Sequence, residues 1–207
     1  IDMKKLKSLS NIYKFKILED ASHSLGGAYL GKRIGGCKYS DITVFSFHPV
    51  KMITTGEGGI ATSNNKSLSD KMKIFRSHGI IRDKKLFKSK NNNPTHYEQH
   101  ELGFNYRLTD IQASLGISQL KRINLFLRER RKIKKYYDKN LKSYPLILPC
   151  ENKYAKSSWH LYTVLIDNKK TIKNKNQFLE YLRKHNIFLN THYIPIHTHP
   201  YYAKMGF

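Results

Sequence analysis

The chain has 207 residues, of which 38 are Lys or Arg and 15 are Asp or Glu, so its formal net charge is +23 at pH 7. This length is enough to bury a hydrophobic core in one domain or somewhat more. A charge of this size is typical of proteins that bind nucleic acid. The basic residues are scattered, however, and no segment joins them to an RNA-binding aromatic signature or a zinc-finger spacing, so we expect no nucleic-acid partner.

The first predicted strand covers residues 13–18 and leads into the acidic pair Glu19-Asp20, after which residues 22–26 begin a helix or a turn. The tips of strands in α/β sheets often carry chemistry. Strand alternation places the two carboxylates on opposite faces, and Asp20 is the better candidate for a site. An Asp at this position is otherwise a helix N-cap.

The second predicted strand, residues 42–47, opens the segment I-T-V-F-S-F-H-P-V-K-M-I-T-T-G-E-G-G. Proline ends strand pairing, and Lys51 follows at once. The glycines behind it allow positive φ and close backbone approach. A lysine held at a strand exit, with Ser46 one strand face away, can form a Schiff base, most commonly with pyridoxal phosphate. The carboxylate of Asp20 would then keep the pyridinium nitrogen of that cofactor protonated.

The remaining elements alternate strands and helices and then become mainly helical. A strand is predicted over residues 59–63 and a helix over 68–76, with Ser67 and Asp70 as a capping-box-like start. Residues 82–96 are polar and Asn-rich and predict a mobile loop. Three helices and one strand follow, in the order helix 109–120, helix 123–141, strand 159–166 and helix 176–185. The first of these helices is amphipathic, with Ile111, Leu115 and Leu120 near one face.

The cysteine and hydropathy patterns exclude several classes of protein. Cys37 and Cys150 make no C-x-x-C pair, which favours a reducing compartment over a disulfide framework. His197 and His199 lack a nearby carboxylate or Cys pattern, so no metal site is predicted. No apolar run approaches about 18 residues, and no charged-then-apolar leader is present. We therefore expect a cytoplasmic protein with no membrane contact.

Three long motifs carry a family resemblance: E-D-A-S-H-S-L-G, S-D-I-T-V-F-S-F-H-P-V-K-M-I-T-T-G-E-G-G and G-F-N-Y-R-L-T-D-I-Q-A-S-L-G-I-S-Q-L. They resemble the DegT/StrS family of sugar-nucleotide aminotransferases, and the likeness extends to H-Y-I-P-I-H-T-H-P-Y-Y near the end. The F-H-P-V-K version is most similar to members that aminate C4 of UDP-4-keto-6-deoxy-N-acetylhexosamines on the way to pseudaminic acid.

The resemblance implies the α/β fold of type I aminotransferases that depend on pyridoxal 5'-phosphate. Residues 1–122 would be the C-terminal part of the cofactor-binding large domain, with a mixed sheet. Residues 123–207 would be an incomplete small α+β domain. The resemblance also implies a homodimer in which the two subunits share each site.

The resemblance also implies roles for five residues at the cofactor. Lys51 would carry the cofactor and move the proton during transamination, and Asp20 would hold the pyridinium proton. His23 would lie near the pyridine 3-oxygen, and Ser46 would bind the cofactor phosphate. Asn105 would reach the phosphate of the neighbouring subunit's cofactor.

Two residues are candidates for the substrate. The resemblance implies that Arg107 helps to bind the anionic nucleotide sugar, although an arginine that begins a helix is often only solvated. It places His192 near the sugar. The implied reaction transfers nitrogen from an amino-acid donor, glutamate in most relatives, to a nucleotide-linked 4-keto-6-deoxy sugar for surface polysaccharide or glycan biosynthesis.

One departure from the family pattern lies at the start of the chain. Family members carry an N-terminal Gly-Ser/Thr phosphate-binding turn and an aromatic residue that stacks on the pyridine ring, and nothing before Ile17 resembles either. We therefore expect a fragment of the family fold. The alternatives are a catalytically inactive, truncated remnant from a split gene and, less favoured, a basic protein that binds nucleic acid.

Overall fold

The computed structural model describes residues 1–91, 93–167, 169–171 and 174–206. The chain divides into two units: Ile1–Ile133 with Glu151–Leu161, and Lys134–Cys150 with Tyr162–Phe207. The domain boundary that the resemblance implies after residue 122 is a boundary of the larger family fold. It stays a prediction.

The described residues form short strands and longer helices. The helices are α1 (Met3–Tyr13), α2 (Lys66–Arg76), α3 (Asp110–Lys121), α4 (Ile123–Leu141), α5 (Lys175–Lys184) and α6 (Pro200–Ala203). The strands are β1 (Leu18–Asp20), β2 (Ala28–Tyr29), β3 (Lys32–Arg33), β4 (Ile42–Ser46), β5 (Gly59–Thr62), β6 (Ile80–Ile81), β7 (Glu98–Gln99), β8 (Leu146–Ile147), β9 (Ala155–Lys156) and β10 (Leu165–Ile166). The loop predicted over 82–96 contains a 3₁₀ turn at Lys84–Leu86, and its Asn92 lies outside the described residues.

The central sheet of the first unit is mixed and has the order β1-β4-β5. β4 is parallel to β1 and antiparallel to β5. Along β4 the residues Thr43 and Phe45 are buried and alternate with half-buried Val44 and Ser46. The strand predicted over residues 42–47 is therefore confirmed as β4, although the polar Thr43 rather than Ile42 or Val44 is buried beside Phe45.

The strand predicted over residues 13–18 is wrong in position. Tyr13 is the last residue of α1, and Lys14 ends that helix in the left-handed region with φ 57. Ile17 is buried. The paired strand nevertheless begins only at Leu18, because that is where β4 lies alongside the chain.

The two helices that flank the sheet in sequence begin with polar caps. α2 begins earlier than the predicted helix 68–76 because the side chain of Asn65 accepts a hydrogen bond from the Leu68 N–H at 3.1 Å. Ser67 and Asp70, which were predicted to start this helix, therefore lie inside it. An Asn in this position satisfies an otherwise unpaired backbone donor of the first turn.

Helix α3 agrees with the predicted helix 109–120. Thr109 is its N-cap, and a complete capping box holds the first turn. The predicted apolar face is not buried in this chain: Ile111, Leu115 and Leu120 are 84%, 40% and 49% exposed.

The core of the first unit joins α4 to the segment that follows β4. Met52 and Ile53 pack with Ile123 and Leu127 in one buried cluster. Gly26 comes so close to this cluster that a Cβ atom there would lie 2.6 Å from Leu127 Cδ1. Helix α4 thus holds both the turn after β1 and the segment after β4 in place.

The second unit contains the antiparallel pair β8–β10 and helix α5. The predicted helix 176–185 corresponds to α5, which Asn174 caps. The strand predicted over residues 159–166 is wrong for most of its length, since only β10 at its end is paired. The φ of 53 at Trp159 is incompatible with extended strand backbone.

Leu127→Ala tests the packing of α4. We expect a loss of about 2–5 kcal/mol in the free energy of unfolding, since the change leaves a cavity in a buried cluster. Urea denaturation measures the loss. Leu125→Ala is the matched control, because Leu125 lies on the same helix but is 36% exposed. Equal losses for the two variants would contradict this account of the core.

Candidate active site

Asp20 and Ser46 lie on one face of the central sheet, at the carboxyl ends of neighbouring strands. Asp20 pairs with Val44 in the parallel register, and Ser46 follows Val44 on the same side of β4. Glu19 pairs with Thr43 and faces the opposite side, where its Oε2 accepts a hydrogen bond of 2.9 Å from the Thr43 hydroxyl. The two adjacent carboxylates therefore point to opposite faces, as strand alternation predicts.

The carboxylate of Asp20 is held by Ser22. The Ser22 hydroxyl and the Ser22 N–H both donate to Asp20 Oδ1, at 2.5 Å and 3.0 Å. These two bonds, the hydroxyl's first, hold the pKa of Asp20 below its usual value of 3.8, and the charges of His23 and Lys51 lower the pKa further. Asp20 is therefore ionised at neutral pH and lies within electrostatic reach of Lys51.

Lys51 lies in a short loop that is tied to the end of β4. Its N–H donates to the His48 carbonyl at 2.9 Å, and the Thr55 N–H returns to the Phe47 carbonyl at 3.0 Å. The next residue, Met52, is buried in the core. Because the loop is closed on β4 and anchored by Met52, the half-buried Lys51 has a fixed place beside the strand end.

The end of the glycine turn behind Lys51 has no room for a side chain at Gly59. A Cβ atom at Gly59 would lie 2.6 Å from the Phe45 carbonyl oxygen. The carbonyl of Glu57 accepts hydrogen bonds from the Thr55 hydroxyl at 2.7 Å and from Gln112 Nε2 at 3.1 Å. The second bond fastens the start of α3 to this turn.

His23 follows the turn after Asp20 and contacts residues that are far away in sequence. The Ser158 hydroxyl donates to the His23 carbonyl at 2.9 Å. The rings of His23 and His160 lie 4.4 Å apart between centroids. His23 is thereby positioned near Asp20, as its effect on the Asp20 pKa also indicates.

Asn105 and Arg107 form a separate polar group around His78. Arg107 Nη2 donates to Asn105 Oδ1 at 3.1 Å and lies 3.4 Å from His78 Nε2. Both residues are exposed. Within the part of the chain that the structure describes, no hydrogen bond or ion pair joins this group to Lys51.

His192 lies in the second unit, in the segment before the 3₁₀ turn Ile196–Thr198. It is exposed, and its ring lies 4.2 Å from the Tyr193 ring between centroids. Its role near a sugar stays a prediction.

The sequence did not reveal several residues that shape this site. Ser22 stands two positions after Asp20, a spacing at which an Asp side chain often bonds the following backbone, and that local signal could have found it. Ser158 and His160 lie more than a hundred residues from His23, and no local pattern in the sequence predicts such a contact.

Residues 1–206 match the DegT/DnrJ/EryC1/StrS aminotransferase family. The chain belongs to this family. It is 38% identical over 206 residues to the UDP-4-amino-4,6-dideoxy-N-acetyl-beta-L-altrosamine transaminase of Campylobacter jejuni subsp. jejuni serotype O:2, with 99% of this chain and 52% of that protein covered. The chain thus spans about half the length of the curated relatives it matches.

Solved structures of the family have the same fold. PseC of Helicobacter pylori, an aminotransferase involved in the biosynthesis of pseudoaminic acid, superposes with a TM-score of 0.87 at 34% identity and covers 99% of this chain and 52% of its own. The putative sugar aminotransferase Spr1654 from Streptococcus pneumoniae, in its PMP form, superposes with a TM-score of 0.86 at 26% identity, covering 100% of this chain and 56% of its own. The chain therefore has the α/β fold with a mixed sheet that these aminotransferases share.

Aminotransferases of this family depend on pyridoxal phosphate, and the residues of this chain fit part of such a site. Asp20 and Ser46 lie at neighbouring strand ends, and the charge of Lys51, in the loop after β4, lowers the pKa of Asp20. In the described ranges no three His, Cys, Asp or Glu side chains are grouped to hold a metal ion. None of the helices described is long and apolar enough to cross a membrane.

Ser22→Ala tests the electrostatics of Asp20. It removes the hydrogen bond that lowers the Asp20 pKa most, so we expect that pKa to rise towards 3.8. A carboxyl pKa that is depressed on folding contributes stability above the unfolded pKa, and this contribution is lost as the pH falls through the folded pKa. The variant should therefore lose less stability on acidification.

Titration of the Asp20 carboxyl carbon by NMR measures the shift. Ser24→Ala is the control, since it removes the same hydroxyl two residues further along the chain. An unchanged Asp20 pKa in Ser22→Ala, or an equal shift in both variants, would refute the role of Ser22.

Proposed function

We propose that this chain carries the lysine-bearing part of a site that transaminates a nucleotide-linked 4-keto-6-deoxy sugar with pyridoxal phosphate. One observation carries the proposal: the ionised Asp20 and Lys51 lie within electrostatic reach of each other, at strand ends whose shared face also bears Ser46. In pyridoxal phosphate, an amine can bind the aldehyde group and a carboxylate can pair with the pyridine nitrogen. Lys51 and Asp20 are suited to these two tasks.

Each residue has a distinct task in this proposal. Lys51 would supply the amine that holds the cofactor and would move a proton at the reacting carbon. Asp20, which Ser22 keeps ionised, would hold the proton on the pyridine nitrogen. Ser46 would donate its hydroxyl to the cofactor phosphate, and His23 would lie near the ring oxygen.

When bound, pyridoxal phosphate supplies an electron sink for the carbanion that forms at the carbon bearing nitrogen. The chain's contribution is to orient that cofactor. The buried cluster behind Met52 keeps the Lys51 loop from shifting relative to Asp20. Such fixed geometry lowers the entropic cost of bringing the reacting groups together.

We propose a UDP-linked sugar as the acceptor and glutamate as the donor. The relatives named as transaminases of a UDP-linked altrosamine support the sugar class. Arg107 would bind the anionic part of the substrate, and His192 would lie near the sugar. The free state of Cys37 and Cys150 suits a reducing cytoplasm.

We also propose a homodimer as the working state. Asn105 and Arg107 are exposed and bond to each other and to His78 rather than to the Lys51 group. An arrangement in which they act on a neighbouring subunit's site would explain this separation. The exposed apolar side chains of α3 offer a surface that such an assembly would bury.

Covalent labelling of Lys51 tests the proposal. Treating the chain with pyridoxal phosphate and then borohydride should fix the cofactor to the peptide that contains Lys51, as mass spectrometry of a digest would show. Lys51→Ala should abolish this label, whereas Lys38→Ala, which removes an exposed lysine elsewhere, should leave it intact. Labelling spread evenly over the lysines would reject the proposal.

A further inference from the structure

His48 joins the two candidate cofactor residues that lie on either side of it along the chain. Its N–H donates to Ser46 Oγ at 3.4 Å, and its carbonyl accepts the N–H of Lys51 at 2.9 Å. Its ring also takes part, since Nδ1 accepts the N–H of Val50 at 3.2 Å. One residue is therefore bonded to both the serine and the lysine of the candidate site, and its side chain is bonded to the backbone between them.

The bond between the Lys51 N–H and the His48 carbonyl closes a β-turn that runs from His48 to Lys51. Pro49 takes the second position of this turn, where the fixed φ of proline is favourable. The first position usually carries Asp, Asn or Ser, whose side-chain oxygen accepts the N–H two residues later. In this chain the ring of His48 makes that bond to Val50 instead. The histidine thus replaces the usual acceptor of the turn that leads to the lysine.

The bond from Val50 determines which ring nitrogen of His48 carries the proton. A ring nitrogen that accepts a hydrogen bond is unprotonated, so neutral His48 has its proton on Nε2. Nε2 lies 3.9 Å from Oε1 of Glu57, in the glycine turn on the far side of Lys51. Both side chains are exposed, at 46% and 75%, and such a pair contributes little stability. The bond from Val50, rather than the charge of Glu57, is therefore the contact that holds the ring.

The backbone bond from His48 to Ser46 also has a direction. A hydroxyl oxygen can accept two hydrogen bonds and donate one. Because the His48 N–H occupies one of the accepting positions, the Ser46 O–H remains able to donate. A phosphate group requires such a donor, since its oxygens are strong acceptors.

We propose that His48 is a positioning residue for Lys51. In its Nε2–H form the ring fixes the turn that presents the lysine amine, and the backbone of His48 directs the hydroxyl of Ser46. His48 acts through these two residues and not on the cofactor. The functional consequence rests on the proposed function, because a fixed turn contributes to the reaction when Lys51 holds the cofactor.

His48→Asn and His48→Leu separate the acceptor from the rest of the side chain. Asn Oδ1 can accept the Val50 N–H in the same way, whereas leucine offers no acceptor. Treating each chain briefly with pyridoxal phosphate and then borohydride gives the rate at which Lys51 is labelled. We expect His48→Leu to slow the labelling of Lys51 by about threefold to tenfold, which is the effect of one lost hydrogen bond. His48→Asn should restore most of the rate.

Nuclear magnetic resonance of the cofactor-free chain tests the geometry directly. At about pH 8, where an ordinary histidine is neutral, the ¹⁵N shift of His48 Nδ1 should be that of an unprotonated nitrogen. Exchange of the Lys51 N–H with solvent should be about threefold to tenfold faster in His48→Leu than in the wild-type chain, and close to the wild-type rate in His48→Asn. His199→Leu is the matched control, since it removes an exposed histidine whose side chain makes no cap hydrogen bond. Circular dichroism establishes that each protein is folded.

A protonated Nδ1 in neutral His48 would overturn the inference. So would an exchange rate of the Lys51 N–H in His48→Leu equal to that in the wild-type chain, or an equal increase in His48→Asn or His199→Leu. If Lys51 of the wild-type chain takes no label, the proposed function is rejected, and the protonation of Nδ1 and the exchange rates still decide the role of His48 in the turn. Labelling of Lys51 at the wild-type rate in His48→Leu would overturn the positioning role alone.

Discussion

The register between β1 and β4 determines which carboxylate faces the candidate site. Glu19 Oε2 accepts hydrogen bonds from the hydroxyls of Ser40 and Thr43, at 3.0 Å and 2.9 Å, and Thr43 is fully buried. A slip of one residue would move Asp20 to that interior position and Glu19 to the site. A carboxylate that is removed from water needs hydrogen bonds of this kind. The buried hydroxyls of Ser40 and Thr43 give these bonds to Glu19, and they therefore oppose the slip.

Several elements were predictable from local patterns in the sequence, and so was the placement of Glu19 and Asp20 on opposite faces of β1. Helix α4 follows regular apolar spacing, α3 has a complete capping box at its start, and the alternation of Glu19 and Asp20 follows from strand geometry. Helix α1 is Lys-rich but has apolar residues at helical spacing (Met3, Leu6, Leu9 and Tyr13), and the strand predicted over 13–18 overlapped its end. Residues 159–166 have strand composition, but the positive φ at Trp159 prevents extended pairing there.

The predicted site residues fall into three groups in this chain. Asp20, His23, Ser46 and Lys51 lie around the ends of β1 and β4, Asn105 and Arg107 lie around His78, and His192 belongs to the second unit. A motif specifies which residue types are present but not which of them meet within one chain. The chain also spans about half the length of its relatives, so the activity of the whole protein stays a proposal.

The most direct test of the central claim is the ¹⁵N NMR shift of the pyridine nitrogen in labelled pyridoxal phosphate bound to the chain. We expect a protonated nitrogen in the wild-type chain, because Asp20 is ionised and the charge of the nearby Lys51 lowers the Asp20 pKa. We expect an unprotonated nitrogen in Asp20→Asn and a protonated one in Glu19→Gln, whose carboxylate faces the opposite side of the sheet. Loss of the proton in Glu19→Gln with its retention in Asp20→Asn would contradict the account.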